Sequence, residues 1–226
     1  MPTPPDDSDP GANPEAEERV QFMLRLRARG IRDLRVLRAL ERAPRSLFMP
    51  QRFADIAGRD IALPIGGGQT SPAPSTVAAM IEALDPPPRG RVLEVGTGSG
   101  YAAALLAQLC GEVVSLERRR PLALEAAARL SAFGLDNVRV EWADALVFEG
   151  GRFDAILVHA LIEAPPASLW ASLNPGGALV AALAVEAAAD QRITRWTKKP
   201  DGWWAATERG ATRMFRPLLS GVTGDP

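Results

Sequence analysis

The stretch RVLEVGTGSGY, residues 91–101, limits what this chain can fold into more than any other. An apolar run, Val92-Leu93-Glu94-Val95, ends in three glycines at alternate positions, Gly96, Gly98 and Gly100, and an alanine- and leucine-rich segment over 102–109 follows directly. That pattern is a strand feeding a tight glycine turn into a helix, the arrangement by which a backbone comes close to a nucleotide-like ligand. A dinucleotide fingerprint spaces its glycines G-x-G-x-x-G. The sixth position here is Tyr101, which argues against NAD and FAD.

Downstream of the turn the order is regular. Strands are predicted over 91–95, 112–116, 137–141, 153–158 and 178–183, with helices over 101–109, 121–134 and 167–173. Near-continuous apolar strands alternating with helices mean an α/β fold whose mostly parallel sheet is covered on both faces. Residues 191–219 alternate around Trp196, Trp203-Trp204 and Phe215 and read as a terminal antiparallel hairpin. Upstream, residues 1–16 are proline, acid and small polar residues and read as a disordered tail. Two amphipathic helices follow. Gly30 stops the first, and Asp33 caps the second, which carries Leu34, Leu37 and Leu40 on one face. Their many arginines suit a solvated face or a docking surface for RNA or an acidic partner. Residues 45–68 are irregular and end in Gly66-Gly67-Gly68, either a loop that approaches a ligand or a flexible connector. Residues 69–75 open a further helix, with proline for its first turn and hydroxyls to cap it.

In such a sheet, ligands bind beyond the carboxyl ends of the strands. Glu94 and the glycine turn close the first strand. Glu117 follows the second, where a carboxylate can accept both hydroxyls of a ribose, and Asp144 follows the third, where it can reach an exocyclic amine. Three acids at corresponding strand ends point to a nucleoside-bearing cofactor. His159, the single histidine, ends the fourth strand on the rim where an acceptor would lie, although a lone histidine is more often structural. Arg118-Arg119-Arg120 opens a helix, where the dipole disfavours cations, so an acidic neighbour such as Glu117 or Glu125 is expected and the run reads as solvated.

Composition excludes several classes. One histidine and one cysteine cannot supply a structural zinc site, so no metal is expected, and Cys110 reads as packing. A net charge of −1 gives no global attraction to nucleic acid or an anionic membrane. No segment has the apolar length of a spanning helix, and the N-terminus lacks a cationic-then-apolar leader pattern. A soluble, cytoplasmic, monomeric protein with no nucleic-acid or membrane partner is expected.

A G-x-G-x-G turn preceded by an acid resembles the first motif of S-adenosyl-L-methionine-dependent methyltransferases, and further blocks resemble one family of them, the protein-L-isoaspartate O-methyltransferases, over about 23–219. Gly30-Ile31 with Asp33, and Val36-Leu37 with Ala39, are similar to its G-I-x-D and V-L-x-A. Ala43-Pro44-Arg45 with Phe48 and Pro50 is similar to its V-P-R-x-x-F-x-P. Leu63-Pro64-Ile65-Gly66 with Gly68-Gln69-Thr70 is similar to P-I-G-x-G-Q-T, a block that other methyltransferases lack. Phe153-Asp154-Ala155-Ile156, Pro175-Gly176-Gly177 and Phe215-Arg216-Pro217-Leu218 are similar to its later blocks.

The resemblance implies a Rossmann-like methyltransferase fold with a seven-stranded, mostly parallel sheet, helices on both faces and an N-terminal helical extension. The organisation expected is a tail over 1–16, helices and an acceptor-side glycine loop over 17–90, and a cofactor-binding core over 91–226, with 17–226 one globular unit. The implied activity is methyl transfer from S-adenosyl-L-methionine to isoaspartyl carboxylates of damaged proteins. Glu94, Gly96, Thr97, Gly98, Gly100, Tyr101, Glu117, Asp144 and Ala145 are expected on the cofactor, and Thr70, Ser71 and His159 on the acceptor side. The chain departs from the family's pattern at three places. Pro72 stands at the serine of Q-T-I-S-x-P, His159 where threonine is usual, and Ala182-Leu183-Ala184 replaces P-V-G. These departures leave open a methyltransferase for another carboxylate or for RNA, or a cofactor-binding module without catalysis.

Overall fold

The structure, a computed structural model, describes residues 14–184, 190–202, 204–212 and 214–224. The expected tail over 1–16 falls mostly outside these residues, and Trp203 lies outside them too. Within them, α1 (Pro14–Ala28) already begins at Pro14, three residues before the helix expected from the sequence.

Seven strands form one sheet in the order β5-β4-β3-β6-β7-β8-β9, namely β3 (Arg91–Val95), β4 (Glu112–Glu117), β5 (Val138–Trp142), β6 (Phe153–Ile162), β7 (Leu173–Ala184), β8 (Gln191–Lys198) and β9 (Trp204–Thr212). β3 pairs in parallel with β4 on one side and β6 on the other, and β4–β5 and β6–β7 are also parallel. The β7–β8 and β8–β9 pairings are antiparallel. The strand order therefore reverses direction at β3, which opens a crevice beyond its carboxyl end. The hairpin expected over 191–219 is β8–β9 and ends at Thr212. Residues 214–224 instead cross back over the sheet.

Alternate residues of each central strand face opposite sides, which is the period of a strand. Val92, Val113, Ala155 and Val180 join one buried cluster, and Leu93, Val114, Ile156 and Leu179 the other. The first cluster is covered by α3 (Pro74–Leu84), α4 (Tyr101–Ala107) and α5 (Arg120–Ala132), and the second by α6 (Ala167–Ser172).

The N-terminal extension seals the first face. Asp33 accepts from the Arg35 N–H at 2.7 Å and so caps α2 (Leu34–Arg42), whose Val36, Leu37, Ala39 and Leu40 are buried. Each such Val or Leu stabilises by about 1.5–3 kcal/mol when fully buried. Phe48 is buried between the rings of Tyr101, at 5.9 Å, and Phe133, at 5.5 Å, which fixes the extension against α4 and α5.

The largest difference from the sequence reading lies at 63–75. Residues 69–71 do not open a helix. They form β2 (Gln69–Ser71), antiparallel to β1 (Leu63–Gly66). The turn runs through Gly66, Gly67 and Gly68, all at positive φ, a region that a side chain would penalise. The hydroxyl cap expected for α3 is also absent. Its N-cap is Ala73, and Asp60 from the preceding loop accepts the Ser75 N–H at 2.9 Å instead.

Candidate active site

A cavity of about 220 Å³ opens where β3 and β6 end. Its floor is the glycine turn, and its walls are the β1–β2 hairpin, the start of α5, the end of β6 and residues 214–219. Gly96, Gly98 and Gly100 have φ of +92°, +55° and +88°, so the turn folds only with glycine there. A Cβ on Gly98 would stand 3.1 Å from Ile65 Cδ1, which means the hairpin closes directly on the turn.

Two buried carboxylates hold this turn. Glu117 is 6% exposed. Its Oε2 accepts the Gly98 N–H and its Oε1 the Arg119 N–H, each at 2.9 Å. A carboxylate offers about four lone-pair positions, so about two remain, one on each oxygen. Burial pushes the Glu117 carboxyl above the usual carboxylate range, against the pull of the Gly98 and Arg119 N–H groups. Glu94 is 0% exposed. Its Oε2 accepts the Ser115 hydroxyl, which in turn pairs with Thr97 Oγ1, and its Oε1 lies 3.2 Å from His159 Nε2. The Thr97 side chain is thus turned into the sheet, and only its backbone serves the turn, donating to the Leu116 carbonyl beside Gly96.

The β1–β2 hairpin is held by a buried cation. Arg45, 4% exposed, donates through Nη1 to the carbonyls of Ala57 and Ile61, and through Nη2 to those of Ser71 and Pro72, at 2.8–3.3 Å. Nη2 also reaches Ser71 Oγ at 3.4 Å. Burial lowers the Arg45 pKa to about 10, with Tyr101 and Asp60 opposing. No sequence signal beyond the Pro44-Arg45 pair marked this residue as the clamp of the segment that follows β1–β2. Ser115 carried no signal at all.

The expected residues are not all brought to one wall. Gly96, Thr97, Gly98, Tyr101, Glu117, Ala145, Thr70, Ser71 and His159 line the cavity. Gly100 stands just behind, where a Cβ would lie 3.4 Å from Ala126 and Leu130, and Glu94 is beneath the floor. Asp144 is not in the lining. Its Oδ1 accepts the Leu146 N–H at 2.9 Å and its Oδ2 the Gly221 N–H at 2.6 Å. Arg118, read as solvated, binds the C-terminal segment as well, donating to the carbonyls of Ser220 (3.2 Å) and Gly221 (2.9 Å). Residues 214–224 are thereby strapped across the sheet end. Arg216 and Leu218 pair with Leu161 at one end, and Thr223 pairs with Arg118 and Arg120 at the other.

Cys110 is buried with its Sγ 3.2 Å from the Leu106 carbonyl, and burial pushes its thiol up to about 12, which suits packing. Among the described residues no cluster could hold a metal, and no helix is long and apolar enough to cross a membrane.

Comparison with known proteins decides what this arrangement belongs to. The family model for protein-L-isoaspartate(D-aspartate) O-methyltransferase matches residues 17–222. The chain belongs to this family. A protein-L-isoaspartate O-methyltransferase of Nitrobacter winogradskyi is 48% identical over 174 residues, 76% of this chain and 80% of its own. Another, from Rhodopseudomonas palustris, is 44% identical over 207 residues, 91% and 95% of the two chains. Among solved structures, a Plasmodium falciparum protein assigned to the same family and bound to S-adenosyl-L-homocysteine superposes with a TM-score of 0.75 at 22% identity, covering 88% and 97%. That likeness shows the fold, a methyltransferase sheet with helices on both faces.

Proposed function

We infer that this chain is an S-adenosyl-L-methionine-dependent carboxyl O-methyltransferase that acts on L-isoaspartyl residues of damaged proteins. The observation that carries the reading is the closure of the β1–β2 hairpin on the glycine turn. It sets the acceptor loop, Thr70 and Ser71, against a cofactor floor built from Gly96, Gly98 and Glu117.

The floor fits the cofactor. The two lone-pair positions left on Glu117 match the two hydroxyls of a ribose, and the positive-φ glycines leave room where side chains would stand. Gly96, Gly98, Tyr101, Glu117 and Ala145 would hold it, with Glu94 and Thr97 bracing the turn from below. S-adenosyl-L-methionine, when bound, supplies a methyl group on a sulfonium, which passes to a carboxylate oxygen and leaves a thioether.

The protein's own part is positioning. A carboxylate acceptor has a pKa near ~4 and is ionised at neutral pH, so no general base is required. That agrees with a cavity whose one histidine is tied to a buried glutamate. The acceptor's negative charge and the sulfonium's positive charge cancel as the methyl moves, so excluding water lowers the barrier. Phe215, Pro217 and Leu218 of the strap provide apolar cover. We place the enzyme in the cytoplasm, as a monomer, with isoaspartyl proteins and peptides as its partners.

The test is transfer of labelled methyl from the cofactor to an isoaspartyl peptide. A base-labile ester on the isoaspartyl carboxylate is expected. Label that appears only on RNA, or on no substrate despite cofactor binding, would overturn the reading.

A further inference from the structure

The acceptor loop lies against the cavity, and Pro72 has no N–H to offer there. Arg45 donates to the carbonyls of Ser71 and Pro72 and reaches the Ser71 hydroxyl oxygen, and Ser71 is 3% exposed. Gln69 donates from its amide to the Gly67 carbonyl, and Arg118 donates through Nε and Nη2 to Gly221 and Ser220. Thr70 and Arg216 line the cavity from exposed positions, where water weakens any hold on a carboxylate.

Two residues of the lining, Tyr101 and His159, each carry a buried polar atom with no hydrogen-bond partner. His159 is 7% exposed in its side chain, and its Nδ1 is buried with no hydrogen-bond partner. Buried polar atoms are nearly always paired in folded proteins, so an idle one marks a place where a partner arrives. The other ring nitrogen is fixed. Nε2 lies 3.2 Å from Oε1 of Glu94, whose second oxygen is held by Ser115. A ring donating through both nitrogens would bridge Glu94, itself 0% exposed, and a carboxylate arriving in the cavity. The Phe215 ring, 6.3 Å away, packs beside it and would have to shift to admit a ligand.

We propose that His159, held by Glu94, binds the acceptor: its Nδ1–H donates to the isoaspartyl carboxylate. The proposal rests on the isoaspartyl reading above and names the residue that anchors that substrate. Nothing is transferred from the histidine. It holds one carboxylate oxygen while the other faces the methyl group.

Two substitutions separate this role from a structural one, because each keeps a different nitrogen. Asparagine places its amide near Nδ1 and gives up the reach to Glu94. Glutamine places its amide near Nε2, keeps the Glu94 contact and leaves nothing at Nδ1. For His159→Gln we expect affinity for an isoaspartyl peptide, measured in the presence of S-adenosyl-L-homocysteine, to fall about 10- to 100-fold, the weight of one charge-assisted hydrogen bond. KM should rise by the same factor, while affinity for S-adenosyl-L-homocysteine and thermal stability stay near wild type. His159→Asn should lose less peptide affinity than His159→Gln. A glutamine variant that binds peptide like wild type, or one whose loss lies in cofactor affinity, overturns the inference while leaving the isoaspartyl reading intact. Wild-type protein that binds no isoaspartyl peptide overturns both.

Discussion

Replacing Glu117 with glutamine perturbs both tasks assigned to its carboxylate. In the folded chain its two oxygens each accept a part-buried backbone N–H, from Gly98 and from Arg119. An amide of the same shape has one accepting oxygen. Whichever way it is turned, its NH₂ faces one of those N–H groups. An N–H left without an acceptor costs about 1–3 kcal/mol when fully buried, so the unfolding free energy from urea titration should fall by up to that amount. The cofactor loses as well, because the NH₂ side cannot accept a ribose hydroxyl. One hydrogen bond to a charged group is worth about 1.5–3 kcal/mol, which is about 10- to 150-fold in Kd for S-adenosyl-L-homocysteine by calorimetry. Glu117→Ala should bind no better than the glutamine variant. The carboxylate also gives the affinity a pH dependence of defined sign. Burial holds the folded-state pKa of this acid above its unfolded value. Its contribution to stability is therefore fully present below the unfolded pKa and is lost as pH rises through the folded one. Cofactor binding runs the opposite way. It needs the ionised form to accept two hydroxyls, so affinity should weaken on acidification at a pH above the ordinary range of a glutamate, and Glu117→Gln should lack that inflection. A glutamine variant with wild-type Kd and wild-type stability would refute the assignment of both pairs of hydrogen bonds.

Three other perturbations have distinct signatures. Gly98→Ala forces a side chain to φ +55° and a Cβ to 3.1 Å from Ile65 Cδ1, so a stability loss of about 1–2 kcal/mol and weaker cofactor binding are expected; unchanged melting and Kd would count against the hairpin closing on the turn. Arg45→Met leaves the carbonyls of Ala57, Ile61, Ser71 and Pro72 without their shared donor and should cost about 1.5–3 kcal/mol in urea unfolding with a raised peptide KM, whereas a loss confined to kcat would contradict its role as a clamp. Truncation after Leu219 removes the Gly221 and Ser220 contacts to Asp144 and Arg118 and should speed both association and dissociation of S-adenosyl-L-homocysteine in stopped flow; identical rates would show that the strap is no barrier.

The parts of the fold set by local pattern were readable in advance. The apolar strands and the glycine turn follow from a period of two and from residues that tolerate positive φ, and the Asp33 cap from a side chain next to its own helix. What was not readable depends on partners distant in sequence. Residues 69–71 carry helix-start chemistry, yet become a strand because three positive-φ glycines turn them back onto 63–66. Asp60 displaces the local hydroxyls as the cap of α3 from fifteen residues away. Asp144 was placed at a strand end correctly as topology, but it lies outside the cavity lining and accepts from Leu146 and from Gly221, seventy-seven residues on, and no local signal reports that. Likewise Arg118 looks solvated until the C-terminal segment is laid against it, whereas Arg120 stays exposed as read.

The central claim is tested most directly with twin peptides that differ only in whether one residue is aspartyl or isoaspartyl, which moves a single methylene between backbone and side chain. Initial rates of methyl ester formation with S-adenosyl-L-methionine give kcat/KM for each. The account predicts esterification of the isoaspartyl twin with a preference of at least about 10-fold, the discrimination that one misplaced methylene allows. Equal rates on the two peptides, or ester on neither while the protein binds S-adenosyl-L-homocysteine, would contradict it.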